Sequence, residues 1–301
     1  MADFVSGFWN WWVMVLVTLS LLFCLFVLVS NNVKRKPGPA ELQDHVWDES
    51  LVEYDNPLPR WWTYLFWITL IFSVVYLVLY PGFGNYQGLL GWSSVGQYET
   101  EKTQANERFG PIFAKYRDLD VKAVAADPEA VAMGGRLFQT YCAQCHGSDA
   151  GGSRGFPNLT DENWLWGGEP ADIKTTITGG RTGVMTPFGG VISGEGVRDV
   201  AHYVRSLNNL AHDSLRAQRG VDVFQANCVV CHGADASGSK ALGAPNLTDG
   251  AWLWGSSEAS IIETVTHGRM NRMPGFGEFL GEDKVHVLAA YVWSLSNSPA
   301  Q

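Results

Sequence analysis

The stretch Cys142-Ala143-Gln144-Cys145-His146 returns as Cys228-Val229-Val230-Cys231-His232, and the chain is read outward from these two runs. A Cys-x-x-Cys-His run is an attachment site for c-type haem. Its two thiols become thioethers on the porphyrin, and the His one helical turn later ligates the iron. The pattern assigns Cys142, Cys145 and His146 to one covalent haem c, and Cys228, Cys231 and His232 to a second. Two other chemistries use paired cysteines. A four-thiolate zinc site needs both pairs at one place, and these runs stand 86 residues apart. A dithiol redox pair belongs in a βαβ setting, which neither run has.

The runs lie inside a longer repeat. Pro157-Asn158-Leu159-Thr160-Asp161 and Trp164-Leu165-Trp166-Gly167 return 88 residues later as Pro245-Asn246-Leu247-Thr248-Asp249 and Trp252-Leu253-Trp254-Gly255. Gly180-Arg181 returns as Gly268-Arg269, and Tyr203 as Tyr291, while the second copy carries two extra residues between His232 and Pro245. The same offset carries Met185 onto Met273, each just before a proline that stiffens the chain. A thioether in the sixth position makes a His/Met iron suited to electron transfer, so Met185 and Met273 are the expected axial partners of His146 and His232. Met133 and Met270 are the rivals; Met270 has Thr182 as its equivalent in the first copy, and Met133 precedes its haem run on a helix, where it reads as packing. Spacing leaves open which Met serves which haem. Local ligation is the simpler arrangement, and exchange between the copies fits the same sequence. Arg181 and Arg269 precede the Met positions and are candidate partners for haem propionates.

Two apolar runs precede the repeat. Residues 8–29 and 61–80 carry no charged side chain and are long enough to span a bilayer core. No Lys or Arg occurs in residues 1–33, so the first run lacks the basic start of a cleaved signal peptide. Between the runs, residues 31–60 hold Lys34, Arg35, Lys36 and Arg60. Basic residues mark the cytoplasmic side, which predicts a cytoplasmic connection with both ends of the chain outside. That agrees with haem attachment outside the bacterial inner membrane. The expected organisation is a membrane anchor over 1–81, a connector over 82–126, and cytochrome c domains over 127–210 and 211–301. The fold class is all-α: two transmembrane helices, then two tandem haem domains. In the connector a short helix is expected over 104–119, broken by Pro111. Asp127-Pro128-Glu129 reads as a helix start. Within each copy the first and last helices should cross, Phe138 on Tyr203 and Phe224 on Tyr291.

The 301 residues carry a net charge of −9, which argues against nucleic acid as a partner. Residues 81–301 hold 17 Lys plus Arg against 23 Asp plus Glu, so a basic protein partner is favoured electrostatically. His45, His202, His212, His267 and His286 are read as exposed polar residues. Cys24 is read as packing in an apolar helix. No acid, base or nucleophile stands beside an open metal site, so no catalytic residue is assigned.

Each copy resembles a small monohaem cytochrome c. The stretch Tyr54-Asp55-Asn56-Pro57-Leu58-Pro59-Arg60-Trp61-Trp62, followed by Tyr80-Pro81-Gly82-Phe83-Gly84, resembles the dihaem subunit (subunit III, CcoP/FixP family) of cbb3-type cytochrome c oxidases. The resemblance runs from residue 45 almost to the end; the additional first apolar run departs from many members. It implies two haem c groups and a multi-pass subunit of the bacterial inner membrane with its haem domains in the periplasm. It also implies partners: a catalytic haem-copper subunit, a monohaem cytochrome c subunit and a soluble cytochrome c donor. The implied role is electron relay toward oxygen reduction in a proton-translocating complex. The competing reading is a free-standing membrane cytochrome serving other respiratory or dehydrogenase complexes.

Overall fold

A computed structural model describes residues 4–31, 41–54 and 56–297. The chain divides into two compact units, residues 1–106 and 107–301, considered separately below.

In the first unit, helix α1 (Gly7–Ser30) and helix α2 (Arg60–Leu79) are apolar all round, which suits lipid rather than a water-facing stripe. At 24 and 20 residues they measure about 36 and 30 Å, sufficient for a bilayer core. Between them strands β1 (Leu42–Trp47) and β2 (Leu51–Tyr54) form an antiparallel hairpin, turned at Asp48 and Glu49 with positive φ. The hairpin departs from the all-helical expectation; alternating apolar residues such as Val46 and Val52 supply its pairing. Lys34, Arg35 and Lys36, which carry the topology expectation, lie outside the described residues. After α2 the chain turns back: Leu89 and Leu90 donate to the carbonyls of Val78 and Leu79, satisfying groups left open at the helix end. The start of α1 meets this turn, with Asn85 donating its amide to Asn10 Oδ1 at 2.6 Å.

Helix α3 (Ser94–Ala114) is longer than the sequence suggested and runs through Pro111. Proline removes one donor, but this one lies in the last turn, where the helix continues for only three more residues. Then follow α4 (Val121–Ala125), α5 (Pro128–Tyr141), α6 (Ala143–His146), α7 (Pro170–Gly179), strand β3 (Arg181–Met185), α8 (Gly194–Leu207), α9 (Ser214–Asn227), α10 (Val229–His232), α11 (Glu258–His267), strand β4 (Arg269–Met273), α12 (Gly277–Leu280) and α13 (Glu282–Asn297). Asp127 caps α5, accepting from the amide of Glu129 at 2.8 Å, and Pro128 opens the helix.

The crossings differ from the expectation. Phe138 packs on Tyr291 (ring centroids 5.5 Å apart), and Phe224 packs on Tyr203 (5.2 Å). Thus α5 crosses α13, and α9 crosses α8. Gly134 and Gly220 permit these approaches; a Cβ on Gly134 would overlap Tyr291, and one on Gly220 the backbone of Asp199. The reason is the short link 208–213: two helices joined by so few residues fold back on each other. The last helix of the second copy is left to complete the first. One core gathers Phe138, Ile173, Ile177, Leu280, Val285, Leu288 and Val292; the other gathers Ile192, Val197, Val200, Phe224, Ile261 and Val265. The first lobe therefore contains α5–α7 with α12 and α13, and the second contains α8–α11, a grouping that does not follow the sequence junction at 210/211. A third core tucks Tyr116, Val121 and Val124 against Ala130, Met133, Val287 and Ala290 of the first lobe.

Strands β3 and β4 join the lobes. Their antiparallel register sets Arg181 opposite Met273, Gly183 opposite Asn271 and Met185 opposite Arg269. Gly183 and Asn271 are 88 residues apart, so the strand equivalents pair with each other, as around a pseudo-two-fold axis. The Gly-rich loops had suggested little strand here.

Candidate haem-binding sites

In each lobe the Cys-x-x-Cys-His run sits where one helix stops and a one-turn helix begins. Cys142 donates its amide to Phe138 O at 2.8 Å, and His146 donates to Cys142 O at 2.9 Å. The matching bonds of Cys228 and His232 are 2.8 and 3.0 Å. Burial pushes the Cys142 and Cys228 thiols up to about 11, while Cys145 and Cys231 face solvent.

The histidines are held for ligation. His146 is buried, and its Nδ1 meets Pro157 O at 3.0 Å; His232 Nδ1 meets Pro245 O at 3.1 Å. Nδ1 donates to a carbonyl, so the lone pair stays on Nε2, which makes no hydrogen bond among the described residues. Burial lowers both imidazole pKa values and favours the neutral, ligating form. Behind each His the loop closes through Gly152 N to His146 O (2.7 Å) and Gly238 N to His232 O (2.8 Å). The two extra residues of the second copy fall in the next turn, where Ser153 bridges to Phe156 but Ser239 bridges to Ala244.

The methionines come from across the repeat. Met273 packs on the core that includes Phe138, the core on which Cys142 and Ala143 also pack. Met185 packs on the core of Phe224, on which Cys228 and Val229 also pack. The β ladder causes this: Arg181, Gly183, Met185, Arg269, Asn271 and Met273 share its inner face, and Thr182, Val184, Met270 and Arg272 its outer face. Of the rivals, Met270 is exposed on the outer face of the ladder, and Met133 is buried under α4 in the third core.

Two arginines lie on the same inner face of the ladder, and their neighbours were not singled out from sequence. Arg181 donates from Nε to Thr176 Oγ1 at 2.9 Å and lies over Trp166; Arg269 donates to Thr264 Oγ1 at 2.9 Å and lies over Trp254. All three residue types recur at 88 residues, the signal that would have found them. Of the other histidines, His202 and His286 are buried rather than exposed. His202 Nδ1 accepts from Asp213 N, and His286 Nε2 donates to Leu119 O. A donor set of two thiols, one oriented imidazole and one thioether per lobe fits c-type haem.

A family model described as "Cytochrome C oxidase, cbb3-type, subunit III" matches residues 129–204 and 215–292. The chain belongs to the CcoP/FixP family of cbb3-type cytochrome c oxidase subunits. A second model, "N-terminal domain of cytochrome oxidase-cbb3, FixP", matches residues 40–87, which include the Asn-Pro-Leu-Pro-Arg-Trp-Trp stretch. The chain is 45% identical over 299 residues to the "Cbb3-type cytochrome c oxidase subunit CcoP" of Rubrivivax gelatinosus, covering 99% of this chain and 98% of that one. It is 37% identical to the CcoP subunit of Cereibacter sphaeroides over 87% of this chain and 97% of the relative. It is 38% identical to the "Cbb3-type cytochrome c oxidase subunit FixP" of Azorhizobium caulinodans over 86% of this chain and 94% of the relative. The CcoP/FixP segments at 129–204 and 215–292 follow the order of the sequence copies, while the helices pack across them.

Proposed function

We propose that this chain is the dihaem electron-transfer subunit of a cbb3-type terminal oxidase, taking electrons from soluble cytochrome c and passing them toward the catalytic haem-copper subunit. Two covalent haem c groups are held by Cys142, Cys145 and His146 and by Cys228, Cys231 and His232. When bound, each supplies a one-electron iron couple. What supports the reading is that each lobe holds a His oriented by a proline carbonyl and, packed on the same core as the first Cys of its run, a Met from the other copy; in this reading Met273 partners His146 and Met185 partners His232. Such pockets leave no position for a substrate at iron, so they suit outer-sphere electron transfer. Helices α1 and α2 anchor the subunit in the inner membrane, with residues 31–60 in the cytoplasm and both haem lobes in the periplasm. A monohaem cytochrome c subunit is a further partner of the assembly.

The test is purification of the full chain from detergent-extracted membranes. The denatured chain should retain two haems, and the native preparation should contain copper and non-covalent haem from its partners. Two covalent haems without copper would leave a free-standing carrier. Loss of all haem on denaturation would defeat the reading.

A further inference from the structure

The two Arg-Thr-Trp groups share one plan and differ in their charge partners. Arg269 is held by Thr264 and stacks 4.5 Å from the Trp254 ring centroid; Arg181 is held by Thr176 and lies 5.2 Å from that of Trp166. Each arginine stands directly across the β ladder from a methionine, Arg269 from Met185 and Arg181 from Met273. Only Arg269 has a carboxylate: its Nη1 meets Glu263 Oε1 at 3.0 Å. Glu263 also lies 3.5 Å from Arg154 of the first lobe. The equivalent of Glu263 is Thr175, and among the described residues Arg181 has no carboxylate within ion-pair distance. The remaining amino group of Arg269, Nη2, is buried with no hydrogen-bond partner among the described residues. A buried, unpaired guanidinium N–H costs free energy unless an acceptor reaches it, and a haem carboxylate is the acceptor this pocket would receive.

We propose that Glu263, acting through Arg269, sets the haem of Cys228, Cys231 and His232 at a lower reduction potential than the haem of Cys142, Cys145 and His146. This rests on the two-haem reading above. Reduction adds one negative charge to an iron site, so a neighbouring cation favours it and a neighbouring anion opposes it. Arg181 offers its site a positive charge with no carboxylate beside it among the described residues, while Glu263 sets a negative charge directly against Arg269 and shares it, at longer range, with Arg154. Glu263 stays ionised at neutral pH because Arg269 holds its carboxyl below the ordinary range. The downhill direction between the sites therefore runs from the second lobe to the first. Glu263 is a tuning residue: it touches neither the thiols nor the axial ligands. Its side chain is 48% exposed, so solvent screening limits the effect.

The experiment is an equilibrium redox titration of the purified full-length subunit in its complex, following the haem c absorption. Met185→His and Met273→His backgrounds each lower one site and so mark it. Glu263→Gln should raise one haem by on the order of tenfold in its reduction equilibrium, ~59 mV for a one-electron couple, and leave the other unmoved. Thr175→Glu should lower the other haem by a similar amount. With exchanged methionines, Glu263→Gln moves the low wave in the Met185→His background and the high wave in the Met273→His background. The opposite assignment would keep the tuning and overturn the Met exchange. Equal shifts at both haems, or none at either, would overturn the tuning itself. Absence of covalent haem would instead defeat the underlying two-haem reading.

Discussion

The two lobes share a helix crossing, yet their outer faces are built from opposite materials. In the first lobe the face of α5 and α13 presents Ala130, Met133, Val287 and Ala290, all buried beneath Tyr116, Val121 and Val124 of the connector. The repeat places Arg216, Arg219, Asp199 and His202 at those positions in the second lobe. There Arg219 forks onto Asp199 with two bonds of 2.8 Å, and Arg216 bridges Asp199 and Glu195 at 2.9 Å. One surface is made to be covered by the segment leading in from the membrane anchor. The other buries Asp199 beneath arginines that reach solvent. A duplicated domain thus diverges where its neighbours differ, while the loop after each Cys-x-x-Cys-His run keeps its Pro-Asn-Leu-Thr-Asp and Trp-Leu-Trp-Gly stretches.

The severest way to break the comparison is to give the covered face the other's chemistry. Val287→Asp puts a carboxylate at a fully buried position among apolar side chains, with no arginine at 133 to meet it. An uncompensated buried charge should cost about 3–5 kcal/mol. Thermal melting of the detergent-solubilised full chain, followed at the Soret band, should show a clearly lowered midpoint. A midpoint equal to that of the parent would mean the connector does not seal this face.

A smaller effect is expected on the open face. Asp199→Asn removes the charge shared by two arginines, yet Arg216 keeps Glu195 and Arg219 is half exposed, so the loss at neutral pH should not exceed about 1–2 kcal/mol. The bonds from Arg219, with those from Arg216, hold the Asp199 carboxyl below the ordinary range. A depressed native pKa stabilises the fold above the unfolded value, near roughly 3.9 for Asp, and that stabilisation is lost as pH falls through the native pKa. The gap between parent and Asp199→Asn should therefore be full at pH 7 and close below about pH 4. A gap independent of pH would show that the asparagine disturbs packing rather than charge.

How far the sequence reveals this arrangement depends on whether a feature is local. The Cys-x-x-Cys-His runs, the Asp127 cap and the pairing of Met185 with Met273 need only short spacing and an offset, and all were legible. The choice of helix partner was not. Gly134 and Gly220 offer the same notch, Tyr203 and Tyr291 the same ring, so either assignment satisfies the pattern; the six-residue link 208–213 decides between them. The β3–β4 ladder was missed because five residues containing an inward Gly183 carry almost no strand signal. Pro111 misled because a proline near a helix end removes little. The contrast of Ala130 and Met133 with Arg216 and Arg219 was visible, but its meaning required knowing what covers the first lobe.

The smallest predicted effect sharpens what holds the connector down. His286 donates to Leu119 O at 2.9 Å, and Arg117 forks onto Asp283 of α13 with bonds of 2.6 and 2.7 Å. Its guanidinium is largely exposed, so solvent screens the pair, whereas Tyr116 and Val124 are almost wholly buried. If burial does the holding, Arg117→Gln should leave the global melting midpoint unchanged and raise amide hydrogen exchange only locally, over 116–125, by roughly two- to five-fold. Arg117 also keeps the Asp283 carboxyl below its ordinary range. As pH falls through that depressed value, exchange in the parent, corrected for its intrinsic pH dependence, should converge on that of the variant. A fall in the global midpoint as large as that of Val287→Asp would reverse the ranking. It would make the ion pair, not the apolar seat beneath Tyr116 and Val124, the feature that distinguishes the covered lobe from the open one.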